Sequence, residues 1–286
     1  MPRKRDINAA AAGFFRLVRP ADWALAFAGA ALGARLAGSG FRPDVALGAA
    51  ALATVIAGAF VNGDWLHRKT RVLASPSNPL AREWVRPGEA KWLGFILLAV
   101  GLAAAAYLGL RPFAAALLTA AFILLINYFF DKAYFVRNAV AAAVVVLPVL
   151  YGWFWLERGA EAPVVAATVA GLMAIAASVF RDVENRRADE VVDRRTLAAA
   201  GGRLPVIVAG GFALAAIAIS VVPYRLEGYS RRYLALVAAV GGLMLCYTIL
   251  NLRRREPDPL LAASTARMIK FLIFVFFVGT YWELYF

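Results

Sequence analysis

The chain has 286 residues, 62% of them hydrophobic, with a mean hydropathy of +0.68 and a formal net charge of +13. Soluble domains hold roughly 45–50% apolar residues, so an ordinary soluble fold is excluded. The charge invites a nucleic-acid reading, yet no stretch is long and polar enough to fold as a basic soluble module, so no nucleic acid is expected as a partner.

Met1 to Asp6 is basic and could open a signal peptide, but the first apolar run is long enough to span and further runs follow it, which favours a retained helix. Crossing a bilayer takes about 20 mostly apolar residues. Such runs fall near 22–38, 44–61, 92–110, 112–130, 139–156, 163–180, 205–223, 233–251 and 269–286. They predict an all-α fold, a polytopic membrane helix bundle of about nine transmembrane helices. Residues 1–286 then form a single integral membrane domain, with polar loops at 62–91 and 181–204. Gly29 and Gly33 write one GxxxG in the first run, a spacing that lets helices approach closely. Trp23, Trp84, Trp92, Trp153, Trp155 and Trp282 lie near run ends, as interfacial anchors do. Cys246, the lone cysteine, has no internal disulfide partner and reads as a small core residue.

Orientation follows from charge. With the N-terminus cytoplasmic, only Arg35, Arg42, Arg111, Arg158, Arg225, Arg231 and Arg232 of the 31 Lys and Arg fall outside. The expectation is a multi-pass protein of the cell (inner) membrane, in contact with membrane lipid, with both polar loops in the cytoplasm.

The second loop opens with the densest acidic cluster, from Arg181 to Asp193. If helix 6 continues past the membrane, Asp182, Asn185, Asp189 and Asp193 recur at spacings of three, four and four, on one face. A stripe of like charges calls for cations, and Mg²⁺ takes one or two carboxylates while keeping positions open for phosphates. The alternative is a solvated helix whose carboxylates pair with Arg186, Arg187, Arg194 and Arg195.

The first loop begins Asn62-Gly63-Asp64-Trp65-Leu66-His67-Arg68-Lys69-Thr70-Arg71. On a helix Asn62, Leu66 and Thr70 share a face, and Asp64 points roughly 160° away from Asn62. Arg68, Lys69 and Arg71 offer phosphate-binding charge. His67 is the single histidine, which rules out a multi-histidine zinc site and reads as an interfacial polar residue. The segment through Pro79, Pro87 and Gly88 reads as loop or broken helix.

In this arrangement the chain resembles the UbiA superfamily of intramembrane prenyltransferases. Arg181-Asp182, Asn185, Asp189 and then Thr196-Leu197 fall where that family writes R-D-x-x-D-x-x-x-D and a later T-L. Asn185 replaces one carboxylate. The family's first motif, N-D-x-x-D-x-x-x-D, keeps Asn62 but has Gly63, Leu66 and Thr70 at its acidic positions. Pro79 and Leu80 survive from the later segment, and Arg19-Pro20, Tyr128, Lys132 and Asn138 also resemble family positions. The resemblance implies catalytic roles for Asn62, Asp182, Asn185 and Asp189. It also implies Mg²⁺ as cofactor at Asp182, Asp189 and Asp193, and diphosphate binding by Arg68, Lys69, Arg71, Lys132 and Arg181. The partners implied are a prenyl diphosphate and a lipophilic acceptor, joined by ionisation of the diphosphate.

Two other readings compete. Loss of three acidic positions suits a degenerate relative that binds or moves an isoprenoid lipid without catalysis. A secondary transporter calls for charged or broken segments at mid-membrane, which the apolar runs do not show.

Overall fold

The computed structural model describes residues 7–40, 42–68, 78–129, 136–156, 162–191, 196–226, 228–254 and 256–285. Helices α1 (Ile7–Val18), α2 (Pro20–Leu36), α3 (Pro43–Leu66), α4 (Pro87–Leu108), α5 (Leu110–Phe129) and α6 (Val136–Leu156) make up the first half. Helix α7 (Ala162–Val191), a 3₁₀ turn at Leu197–Ala200, α8 (Leu204–Ser220), the short α9 (Val222–Leu226), α10 (Arg231–Leu252) and α11 (Pro259–Glu283) follow. Among the described residues seven helices are long and apolar enough to cross a membrane. Helices α2 and α5 fall on the two remaining apolar runs, near 22–38 and 112–130.

Prolines set several helix starts: Pro20, Pro43, Pro87 and Pro259 each sit in a first turn, where a missing N–H leaves nothing unbonded. Pro87 and Gly88 therefore open α4 rather than extend the loop. The Glu89 carboxylate fixes that start by accepting from the Arg86 N–H (3.0 Å). Helix α11 begins ten residues before the apolar run that marks it, because Ala262, Ala263 and Ala266 are buried against the bundle and the Asp258 carboxylate caps the start by accepting from the Leu260 N–H. Cys246 lies on the exposed side of α10, not in the core. An apolar run does not reveal which of its faces meets neighbours.

Two cores share α2 and α6. One joins Leu25, Leu32 and Val149 to the inner faces of α7, α8, α10 and α11. The other joins Ala26, Ala30 and Tyr151 to α3, α4 and α5. The GxxxG of α2 meets α6, with Gly29 against Pro148 and Val149 and Gly33 against the backbone of Val149, as a small-residue contact should.

Candidate active site

Helix α7 has 30 residues, roughly 45 Å at 1.5 Å per residue, against about 30 Å of hydrocarbon. Its polar end is thus a continuation of the helix. Asp182 and Asp189 are buried and Asn185 half-buried, while Glu184, Arg186, Arg187 and Glu190 are exposed. The outward side carries its own ion pair, Arg186 to Glu190 at 3.0 Å. The inward carboxylates are therefore not the partners of that arginine. Ser178 extends the same face one turn earlier, and its Oγ donates to Asn138 Oδ1 of α6 (3.3 Å).

Helix α3 runs unbroken to Leu66, and His67 closes it through a 3.0 Å backbone bond to Gly63. Asn62 is 6% exposed; its Nδ2 donates to the Gly58 carbonyl (3.1 Å), and Oδ1 has no hydrogen-bond partner among the described residues. It lines an apolar cleft of about 500 Å³ between α3, α4 and α5, with Leu66, Phe95, Leu98, Leu124 and Tyr128. Gly63 and Leu66, two of the positions without carboxylates, lie in that lining. Trp65 also borders the cleft and has two cations over its ring, Arg68 at 5.5 Å and Lys91 at 5.2 Å. Lys91 escaped the sequence reading because it precedes an apolar run and belongs to no motif.

Asp64 turns the other way. It accepts from Arg19 at 2.8 and 3.1 Å and is 2% exposed. Arg19 takes a left-handed backbone (φ 55°) between α1 and α2 and lies over the Phe60 ring (4.9 Å). Burial works against its charge, but Asp64 and Asp22 outweigh it and raise its pKa above the ordinary arginine value. One turn on, Asp22 pairs with Lys270 of α11, close to Arg181. Lys69, Arg71, Lys132 and Asp193 lie outside the described residues.

Among the described residues no three His, Cys, Asp or Glu side chains converge. Two buried carboxylates on one helix face, beside an amide oxygen, suit a hard divalent ion that keeps open positions. Among the described residues of α3 that line the cleft, the Asn62 oxygen is the one side-chain ligand atom, too little for a second ion.

Residues 23–278 match the UbiA prenyltransferase family. The protein belongs to that family. It is a multi-pass membrane enzyme of the UbiA prenyltransferase type. Among curated UbiA relatives, the digeranylgeranylglyceryl phosphate synthase of Natronomonas pharaonis is 29% identical over 235 residues, covering 81% of this chain and 84% of the relative. That of Methanopyrus kandleri is 24% identical over 238 residues, covering 83% and 88%. A solved digeranylgeranylglyceryl phosphate synthase superposes with a TM-score of 0.72 at 19% identity, covering 96% of this chain and 98% of the other. A UbiA homolog from Archaeoglobus fulgidus bound to GPP and Mg²⁺ gives 0.69 at 18%, covering 94% and 99%. These structures share the fold.

Proposed function

We propose that the protein transfers an isoprenoid chain from a prenyl diphosphate to the hydroxyl of a lipid acceptor, at the C-terminal ends of α3 and α7. The observation that carries this reading is the inward face of α7, where Asp182 and Asp189 are buried and Asn185 is half-buried between them. Carboxylates are kept in such surroundings when cations are held there. Asp182 and Asp189 are the residues to hold Mg²⁺, with Asp193 as a further ligand. When bound, the ion supplies positive charge that stabilises the departing diphosphate. Support comes from the A. fulgidus homolog, bound to GPP in one structure and DMAPP in another, each with Mg²⁺. The acceptor class follows the relatives, all digeranylgeranylglyceryl phosphate synthases, whose product name places geranylgeranyl groups on a glyceryl phosphate.

In the reaction the allylic C–O bond breaks and its electron pair leaves with the diphosphate. The acceptor oxygen forms the new C–O bond and gives up its proton. Arg68, Lys69, Arg71, Lys132 and Arg181 are the cations to neutralise the diphosphate. The apolar cleft below Asn62 takes the hydrocarbon tail and excludes water from the cation.

Purified protein with Mg²⁺, prenyl diphosphates of graded length and lipid alcohols should release diphosphate and yield a prenylated lipid of the expected mass. Asp182→Asn or Asp189→Asn should lower turnover at least about a hundredfold, the scale of losing electrostatic stabilisation of a leaving group, with thermal stability near the parent's. Full turnover in both would remove the carboxylates from the reaction. No diphosphate release with any pairing would return the chain to the non-catalytic lipid binder.

A further inference from the structure

Helices α3 and α4 approach until their backbones touch. A methyl group at Gly58 would lie 2.8 Å from the Leu98 nitrogen and 2.9 Å from the Gly94 oxygen. One at Gly101 would lie 2.8 Å from the Ala51 oxygen. Gly94 differs from both, because its three nearest atoms all belong to one side chain and none to the backbone. A methyl group there would lie 2.5 Å from Asn62 Nδ2, 2.7 Å from Cγ and 2.9 Å from Oδ1, so the whole carboxamide rests on it. Those separations are inside van der Waals contact, and Asn62 would have to leave its position. Its orientation is fixed too: the Gly58 oxygen can only accept, which assigns the nearer amide atom as nitrogen and leaves Oδ1 unpaired. A buried acceptor that finds no partner among the described residues is suited to receive an electropositive atom, and Asn62 lies in the lining of the cleft where a ligand would bring one.

We propose that Gly94 is a positioning residue of the prenyl-transfer site. By lacking a side chain it lets the Asn62 carboxamide lie flat between α3 and α4, with Nδ2 engaged by Gly58 and Oδ1 presented to an electropositive substrate-side atom. The inference rests on the reading that Asn62 faces substrate. It locates the determinant of that orientation on a different helix, 32 residues later in the chain, where no motif marks it.

The test is a double-mutant cycle on the purified full chain, with Gly94→Ala, Asn62→Ala, the pair together, and Gly101→Ala as a packing control. Each is scored by kcat, by KM for the prenyl diphosphate, and by the rise in Tm when prenyl diphosphate and Mg²⁺ are added. Gly94→Ala and Asn62→Ala should each lower kcat about tenfold or more and shrink the ligand-induced Tm rise. The pair should be no worse than Asn62→Ala alone, because alanine at 62 leaves room for the methyl group. The Tm lost in Gly94→Ala should return in the pair, which keeps the test decisive even where the single variant folds poorly. Gly101→Ala should lower Tm without changing kcat or KM, and its effect should add to that of Asn62→Ala. If the Gly94→Ala loss multiplies onto Asn62→Ala, the glycine serves helix packing only and the inference is overturned alone. If Asn62→Ala keeps full activity and the full Tm rise, the role of Asn62 falls and the inference with it.

Discussion

Asn62 and Asp64 stand two residues apart on an unbroken helix, so one can face the cleft only if the other faces away from it. The buried Asp64 carboxylate meets Arg19, 45 residues upstream, where one guanidinium nitrogen donates to both carboxylate oxygens and the arginine stays part-buried. Removing the carboxylate leaves the part-buried arginine without its counter-charge, at a cost below the roughly 3–5 kcal/mol of a fully buried pair. Asp64→Asn should therefore lower the Tm of the purified protein by several degrees while KM for the prenyl diphosphate stays unchanged. Replacing both, Arg19→Met with Asp64→Leu, should recover much of the loss, since an apolar pair of similar volume is often neutral. A raised KM with unaltered Tm in Asp64→Asn would place that carboxylate at the diphosphate instead. Helical geometry alone separates Asp64 from Asn62. It does not supply the partner, because nothing local in Arg19-Pro20 says which helix end the arginine will reach.

Elements were legible where one periodicity governs them. The stripe from Asp182 through Asn185 to Asp189 follows helical spacing, and the inward turn of α7 follows from the apolar face that it continues. Helix α1 was not legible as an element. It is short, and it is held by Leu17 against Val61, Leu80 and Val85, contacts that form only in the tertiary structure. The cleft between α3, α4 and α5 was hidden for a related reason: Leu66, Phe95 and Leu125 read as ordinary apolar residues until three helices leave a gap among them. A hydrocarbon tail in that gap makes its size a determinant of chain length. Ala121, on its wall, is the position to fill. Ala121→Phe should raise KM for long-chain donors about tenfold and leave short-chain donors nearly unaffected, the scale on which an apolar pocket discriminates by a methylene group or two. Competition between donors of two lengths, read by product mass, measures it; an unchanged product ratio would place the tail elsewhere.

At the scale of the whole molecule, the contacts fix which helix ends lie together. Asp22, at the start of α2, meets Lys270 midway along α11, while Arg35 donates to the Leu284 carbonyl where the same two helices end. The two run parallel, and α3 returns beside α2 to place Asp64 on Arg19. Asn62 and Asp182 therefore belong to one end of the bundle, that of α2's start, where Arg68, Arg82, Arg86, Lys91, Arg181, Arg186 and Arg187 also gather. The opposite end carries few cations, among them Arg42, Arg111, Arg231 and Arg232. Charged loops are retained on the cytoplasmic side during insertion, so the motif end should face the cytoplasm, where soluble prenyl diphosphate and Mg²⁺ have access. Single cysteines at Ser77, Glu256 and Gly228 test this once Cys246, exposed on α10, has been replaced by alanine. In intact cells a membrane-impermeant thiol reagent should label only the cysteine at 228, and after permeabilisation all three. Labelling at 77 and 256 from outside, with 228 protected, would reverse the orientation and require the diphosphate substrate to be delivered from the other compartment.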